Sequence, residues 1–211
     1  MFKKYAKFYD LAHKNKNYRK EAASIYKWAE FPKHILDLGC GTGQHAKHWA
    51  KKISVGAVDK SEEMLKVAHR DRNIKYLCAN LKDFVFFSNC AVSLFNVVGY
   101  CHLKHILKNS FQRKGAIFIF DCWIPNKTIP KISVRKIKKD WRIVNPVKLT
   151  KNKLTLKIRI FKNLSNPIVE THVINLYSLK EIKKLAQKYN YKIDDHKHGK
   201  GWQWYFKLKK I

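Results

Sequence analysis

Short apolar runs alternate with stretches of helical periodicity between residues 34 and 121. The runs predict strands at 34–38, 53–58, 74–78, 90–95 and 115–121, and the periodic stretches predict helices at 43–51, 61–69 and 102–110. This alternation is typical of a parallel sheet with helices packed on both faces. Two more helical pieces precede it within residues 1–30, and the stretch KNKN at 14–17 separates them.

The pattern changes after Trp123. Period-two alternation runs through KISVRKI, WRIVNPVKLT, LTLKIRIF and IVETHVINLY, which predicts antiparallel strands with one solvated face. The capping box SLKE at 178–181 opens a predicted helix over 178–189, and YKIDDH and GWQWYFKLKK predict two closing strands. We therefore predict one doubly wound α/β domain, 1–211, with a core at 31–129 and 177–211, a helical segment at 1–30 and an antiparallel insertion at 130–176.

Composition supports a folded protein with a real core. The chain has 211 residues, 45% of them hydrophobic, and no apolar run approaches the ~18–20 residues of a membrane helix. The first ten residues lack the apolar core of a signal peptide, so we expect a cytoplasmic protein without a membrane partner. Five cysteines, an odd number without CxxC spacing, are interpreted as reduced core residues rather than as a disulfide frame or metal site: Cys40, Cys78, Cys90, Cys101 and Cys122.

The net charge of +30 raises the question of a polyanionic partner. Of the 45 basic residues, the arginines are those at 19, 70, 72, 113, 135, 142 and 159, and the rest are lysines spread along the chain. Nucleic-acid sites favour Arg, which binds phosphate and guanine with two parallel hydrogen bonds. We interpret the charge as compositional bias plus a mildly basic site, and keep nucleic acid as the less favoured partner.

A glycine loop in HILDLGCGTGQHAKHWA, residues 34–50, carries the first chemical signal. It is not a GxxxxGK[ST] phosphate loop, and it departs from GxGxxG because position 44 is Gln and the third glycine is Gly43. Asp37, two residues before Gly39, would repel a pyrophosphate but suits an ammonium group. The helix start that follows favours a carboxylate. The loop therefore predicts a ligand with an amino-acid end.

The next two predicted strands are followed by residues that suit the other end of such a ligand. Asp59 ends the strand in SVGAVDKS, where an acid accepts hydrogen bonds from two ribose hydroxyls. Asn80 and Leu81, in CANLKDF after the third strand, are positioned to meet an adenine edge. The predicted ligand joins an amino acid to a nucleoside.

These motifs resemble a known family. ILDLGCGTG, VDKSEEML and ANLKDF, in this order and spacing, are similar to the first three motifs of class I S-adenosylmethionine-dependent methyltransferases. The resemblance covers residues 35–123 and implies a mostly parallel, seven-stranded Rossmann-like sheet whose last strand is antiparallel. The implied cofactor is S-adenosylmethionine, and its candidate ligands are Tyr9, Asp37, Gly39, Cys40, Gly41, Gly43, Asp59, Lys60, Met64, Asn80, Leu81, Phe95 and Asn96.

A narrower resemblance concerns the acceptor. Residues 5–22, SLFNVVGY, IFIFDCW and ETHVINLYSLKEI are similar to small-molecule methyltransferases, a group that includes enzymes acting on amino sugars linked to nucleoside diphosphates. In that group the N-terminal YD segment folds over the cofactor and the insertion helps to build the acceptor site. The implied reaction is methyl transfer to N or O of a small molecule by a monomer or homodimer.

The catalytic candidates are His102, because an imidazole suits proton removal near neutral pH, and Tyr100 and His172. The acceptor-binding candidates are Tyr5, Trp123, Arg135 and Arg142. Each has a plainer interpretation: helix packing for Tyr5 and Tyr9, core packing for Trp123, and solvent exposure for the histidines and arginines.

Several features leave alternatives open. Asn80 replaces the usual acid at the adenine edge, and the chain is short after Asp83 and after Tyr100, which implies a more open or weakly active site. A nucleic-acid methyltransferase accounts for the charge, although the fourth strand lacks the [DNS]PP[YFW] motif that stacks a flipped base. A binding protein without turnover is the third possibility.

Overall fold

Two β-sheets form the frame of the protein in the computed structural model, which describes residues 6–110, 113–125, 132–137, 140–161 and 166–211. The seven-stranded sheet consists of β1 (His34–Leu38), β2 (Ser54–Asp59), β3 (Ile74–Cys78), β4 (Cys90–Ser93), β5 (Ile117–Trp123), β10 (Tyr191–His198) and β11 (Gln203–Lys210). The four-stranded sheet consists of β6 (Ser133–Ile137), β7 (Asp140–Leu149), β8 (Lys153–Phe161) and β9 (Ile168–Asn175). The helices are α1 (Ala6–Ala12), α2 (Tyr18–Trp28), α3 (Ala46–Trp49), α4 (Glu62–Lys66), α5 (Val97–Cys101), α6 (Leu103–Lys108) and α7 (Leu179–Lys188).

The strand order of the large sheet is β10-β11-β5-β4-β1-β2-β3. Strand β11 runs antiparallel to both of its neighbours, β5 and β10, and the strands from β5 to β3 pair in parallel. The predicted fold class is confirmed, including the antiparallel last strand. The chain leaves the centre of the sheet in opposite directions from β1 and β4, and ligands of such sheets bind beyond the carboxyl ends of the strands at this switch point.

Both faces of the large sheet are buried, as a parallel sheet requires. Along β5, Phe118 and Phe120 pack into one core cluster, and Ile117 and Ile119 pack into the other on the opposite face. Two helix starts are capped by serine side chains: Ser61 accepts a hydrogen bond from the Met64 amide, and Ser178 forms the predicted capping box with Glu181.

The four-stranded sheet occupies the predicted insertion and is entirely antiparallel. Buried and more exposed side chains alternate along β8, as the sequence predicts, and the buried positions are Leu154, Leu156, Ile158 and Ile160. Tyr100, Trp123 and Trp202 pack against its inner face. The insertion therefore lies against the part of the core that follows β4 and β5.

Three boundaries around the glycine loop and β4 differ from the predicted ones. Helix α3 covers only 46–49 of the predicted 43–51, because the loop continues as turns through His45. Strand β4 ends at Ser93, because Phe95 and Asn96 have φ of 66° and 57° and cannot continue it. The predicted helix at 102–110 is α6, shorter at both ends, and the sequence missed the preceding helix α5.

The cysteines are all described and all unpaired. Cys90, Cys101 and Cys122 are buried as predicted, whereas Cys78 is exposed, because β3 is the edge strand of the sheet. No helix within the described ranges is both long and apolar enough to span a membrane.

Candidate functional site

A cleft opens at the carboxyl ends of β1, β2, β3 and β4. Its walls are formed by Tyr9, Gly39, Gly41, Asp59, Lys60, Met64, Asn80, Leu81, Phe95, Val97, Tyr100 and Cys101. All but Val97 and Cys101 are residues that the sequence placed in the site. Those two lie on α5, the helix that the sequence did not predict.

Asp59 connects two of the loops at the cleft. Its carboxylate accepts hydrogen bonds from the backbone amides of Gly41, at 2.8 Å, and Ser61, at 2.9 Å. Burial raises the pKa of Asp59 and outweighs the lowering effect of these bonds. An ionised carboxylate has about four acceptor positions, so these bonds do not use all of them.

The glycine loop needs glycine for two separate reasons. Gly39 and Gly43 have φ of 78° and 71°, a conformation that is strained for any residue with a side chain. A Cβ at Gly39 would lie 2.5 Å from the Val97 side chain, and one at Gly43 would overlap the Tyr76 hydroxyl. That hydroxyl is fixed by a 2.7 Å hydrogen bond to the His69 carbonyl. Gly41 faces open space on the cleft side.

Asp37 lies at the end of β1 below this loop, with 3% of its surface exposed. Its Oδ2 atom is buried and has no hydrogen-bond partner among the described residues. Burial, together with the nearby Asp59 charge, raises the pKa of Asp37 to about 7. A buried acceptor without a donor is costly, and a ligand ammonium group would supply the missing donor.

The N-terminal helices hold the loop from the other side. The Asp10 carboxylate accepts hydrogen bonds from the Thr42 hydroxyl, at 2.6 Å, and from the Gln44 amide, at 2.8 Å. Tyr9 lies on the cleft wall and also packs against the cluster formed by Ala12 and Ile160. The other predicted lid residue, Tyr5, lies outside the described residues.

Tyr100 connects the cleft with the insertion. Its hydroxyl lies 3.1 Å from Nδ1 of His172, and Nε2 of the same ring lies 3.0 Å from a Glu170 carboxylate oxygen. The interpretation of His172 as an exposed strand residue is wrong, because its exposed fraction is 0%. Glu170 was missed by the sequence analysis, although it lies two residues before His172 and therefore on the same face of a strand.

His102, Asn96 and Trp123 do not line the cleft. His102 separates α5 from α6 with φ of 64°, near His105, and partial burial lowers its pKa, with contributions from His105 and Lys104. Asn96 is buried, and its side-chain oxygen accepts the Trp123 amide hydrogen bond at 3.2 Å. His102 and Asn96 therefore help to position the segment between β4 and α6 and do not form part of the cleft wall.

Asp121 is a further buried acid that the sequence missed. It accepts hydrogen bonds from the Asn96 amide and from Gln203, and burial raises its pKa to about 6.

Cys40 is partly buried within the loop and does not line the cleft. Arg142 lies on β7, paired with Ile160 and Arg135 in backbone register, and the Arg135 side chain lies outside the described part of the chain.

Comparison with known proteins agrees with this geometry. Residues 35–113 match the family model described as a methyltransferase domain. An uncharacterised protein of Methanocaldococcus jannaschii is 29% identical over 203 residues, which cover 91% of this chain and 75% of that protein. A dTDP-3-amino-3,6-dideoxy-alpha-D-glucopyranose N,N-dimethyltransferase of Streptomyces fradiae is 29% identical over 143 residues, which cover 59% of this chain and 56% of that protein.

Among solved structures, an amino pentose methyltransferase of Micromonospora echinaspora involved in calicheamicin biosynthesis, with S-adenosylmethionine bound, superposes with a TM-score of 0.76. It is 15% identical, and the superposition covers 100% of this chain and 98% of that one. At this level of identity the superposition shows that the two proteins share a fold.

Proposed function

We propose that this cleft binds S-adenosylmethionine and that the protein transfers its methyl group to an amine or hydroxyl of a small molecule. The observation that carries the cofactor assignment is the buried Oδ2 atom of Asp37 below the glycine loop, which has no hydrogen-bond partner within the described ranges. An ammonium group there satisfies it, and Asp59 has acceptor positions left for the ribose. On this assignment Asn80 and Leu81 meet the adenine.

The sulfonium methyl of the cofactor is already activated, so the protein contributes position, desolvation and proton removal. Tyr100 reaches the cleft from α5, and its ring packs on the inner face of the insertion sheet. The acceptor then binds between the glycine loop and the insertion. Tyr100 is the candidate on this wall to contact the acceptor.

A nucleotide-linked amino sugar is the acceptor class that we propose to test first. It agrees with the resemblance of the N-terminal segment and the insertion, and a diphosphate suits a chain of charge +30. The dimethyltransferase relative and the amino pentose methyltransferase act on amino sugars by their names. The cytoplasmic location and the monomeric or homodimeric state stay predictions.

Methylation of RNA or DNA is the second candidate, and the same charge favours it. Purely electrostatic binding loses much of its affinity by about 200 mM salt. Tight binding of RNA at that salt concentration, with methyl transfer to it, would show that RNA is the methyl acceptor rather than a small molecule.

The decisive experiment is transfer of a labelled methyl group from S-adenosylmethionine to three acceptor pools: nucleoside-diphosphate amino sugars, simple amines and total RNA. We expect label in an amino sugar and none in RNA. Cofactor binding without transfer to any pool would instead support a binding protein. No cofactor binding by calorimetry would overturn the assignment of the cleft.

Cofactor affinity is expected to rise between pH 6 and pH 7.5. The ammonium group favours ionised Asp37, whose pKa of about 7 in the free protein lies above its ordinary value. Because the pKa of Asp37 is raised in the folded protein, the free protein is more stable at low pH and loses stability as pH rises through 7. A bound ammonium group stabilises the ionised carboxylate and removes this loss. Calorimetry at several pH values measures the slope.

The Asp37→Asn variant provides the matched control. It keeps the shape of the side chain but does not titrate, so we expect weaker binding with little slope below pH 7.5. Above that range the α-amino group of the ligand loses its own proton, near pH ~8, and affinity falls for both proteins. An unchanged slope in Asp37→Asn would show that another group is responsible.

A further inference from the structure

We propose that Lys16 is a positioning residue that holds the N-terminal segment, residues 6–17, against the cleft through its contacts with Glu21 and Phe95. We call Lys16, Glu21 and Phe95 the latch. Lys16 itself does not line the cleft. The inference deepens the proposed cofactor binding and rests on it, because it assigns to Lys16 the rate at which bound cofactor leaves.

The latch joins the turn between α1 and α2 to the cleft wall. The Lys16 ammonium lies 3.7 Å from the centre of the Phe95 ring and 2.6 Å from a carboxylate oxygen of Glu21. Phe95 lines the cleft, and Glu21 lies in the first turn of α2. The face of an aromatic ring attracts a cation, and the attraction grows as water is excluded. The Lys16 side chain is only 25% exposed, so it binds both partners in a partly desolvated position.

Glu21 is the fixed part of the latch. A carboxylate only accepts hydrogen bonds, and this one accepts from Nε2 of His45, at 2.6 Å, and from the Tyr205 hydroxyl, at 2.8 Å. Burial would raise the pKa of Glu21, but the His45 hydrogen bond and the Lys16 ammonium lower it to about 2. Burial lowers the pKa of His45, so near neutral pH that ring is uncharged and Lys16 supplies the positive charge. Lys16 is therefore the counter-charge of an ionised and largely buried carboxylate.

Phe95 is the part of the cleft wall that the latch holds. Phe95 and Asn96 have φ of 66° and 57°, a conformation that persists only where neighbouring groups hold it. The Asn96 amide donates to the Asp121 carboxylate at 3.0 Å, which fixes the backbone of this turn. The Phe95 ring lies 6.4 Å, centre to centre, from the ring of Tyr9 on α1. Lys16 therefore holds the ring where the cleft wall meets the N-terminal segment.

The latch contacts have to break whenever residues 6–17 move away from the cleft. Asp10 attaches the same segment to the glycine loop, so the segment is held at two places. A cofactor beside Tyr9 leaves after both attachments have opened. Removal of the Lys16 ammonium therefore speeds dissociation, which is the step that most variants of a binding site change.

The test compares Lys16→Met with Lys14→Met by surface plasmon resonance with S-adenosylmethionine. Methionine keeps the aliphatic stem without the ammonium, and Lys14 is an exposed residue of the same turn, so both variants have the same net charge. We expect Lys16→Met to dissociate about 10-fold faster, with association unchanged within about twofold, which corresponds to about 1.4 kcal/mol and fits a desolvated cation–π contact. Lys14→Met should bind like the unsubstituted protein. Equal rates for the two variants would overturn the latch.

Two further variants separate positioning from stability. Lys16→Arg keeps a cation that pairs with a carboxylate and stacks on an aromatic ring, so dissociation should return most of the way to its original rate. Lys16→Met also leaves the Glu21 carboxylate without its counter-charge, which lowers Tm. In Lys16→Met combined with Glu21→Gln, part of the Tm should return while dissociation stays fast, because Phe95 still lacks the ammonium. Dissociation that recovers together with Tm would show that Lys16 has only a structural role.

Hydrogen exchange in the unliganded protein keeps the inference separate from the proposed function. The amides of His13 and Lys16 donate to carbonyls within the N-terminal segment, and mass spectrometry follows their exposure. We expect faster exchange over residues 6–17 in Lys16→Met than in Lys14→Met, with β1 unchanged. Equal exchange in the two variants would overturn the latch even if S-adenosylmethionine binds. Faster exchange in a protein that does not bind S-adenosylmethionine would overturn the proposed cofactor and leave the attachment by Lys16 established.

Discussion

Asp59→Ala is expected to weaken S-adenosylmethionine binding by at least about 100-fold. The substitution removes the acceptors for two ribose hydroxyls, and hydrogen bonds to charged groups contribute about 1.5–3 kcal/mol each. It also leaves the Gly41 and Ser61 amides without their common acceptor, so the two loops lose their connection. A loss of about 3 kcal/mol corresponds to the stated factor.

Isothermal titration calorimetry measures this loss, with Glu63→Gln as the control. Glu63 pairs with Lys66 on the surface of α4 at 2.9 Å, and exposed pairs of this kind contribute little to stability. The control should therefore bind with unchanged affinity. If Asp59→Ala binds as tightly as the unsubstituted protein, the cofactor does not lie where we place it.

Gly43→Ala is expected to cost about 3 kcal/mol of folding stability. A left-handed conformation costs a residue other than glycine about 1–2 kcal/mol, and the added methyl group would also overlap the Tyr76 hydroxyl. For a chain of this size the loss corresponds to a Tm about 6–12 °C lower. Thermal unfolding followed by circular dichroism measures it.

Two companion variants separate strain from overlap. Gly41→Ala carries the strain of a φ of 56° but meets no atom within 4 Å, so we expect the smaller loss of about 1–2 kcal/mol. Gly43→Ala combined with Tyr76→Phe should recover part of the overlap cost, although the ring carbon would still lie 3.2 Å from the new methyl group. Equal losses for Gly41→Ala and Gly43→Ala would contradict the role of Tyr76.

The glycine-loop side of the cleft was predictable because it depends on local sequence. A glycine loop after a buried strand, an acid at the end of the next strand and a polar residue after the third must meet at one edge of a parallel sheet. The strands, their order of appearance and the antiparallel insertion follow from hydrophobic periodicity. These features need no knowledge of long-range contacts.

The α5 side of the cleft was less predictable because it depends on contacts between distant segments. Helix α5 follows two residues with positive φ, Phe95 and Asn96, which local propensity does not favour. Buried Asp121 fixes that turn from a strand 25 residues away. The pairing of Tyr100 with His172 spans 72 residues, and no period in the sequence relates the two. Glu170 could have been predicted as a neighbour of His172, because alternation along a strand places both side chains on the same face.

Gln44 rules out the dinucleotide fingerprint and also binds Asp10 of α1. Because Asp10 also accepts from Thr42, the helix that contributes Tyr9 to the cleft is attached to the loop that we propose holds the methionine end of the cofactor. If S-adenosylmethionine binds here as proposed, exchange of spent for fresh cofactor would involve these contacts. The strength of the attachment would then set a compromise between holding the donor long enough to react and releasing the product quickly enough to repeat the cycle.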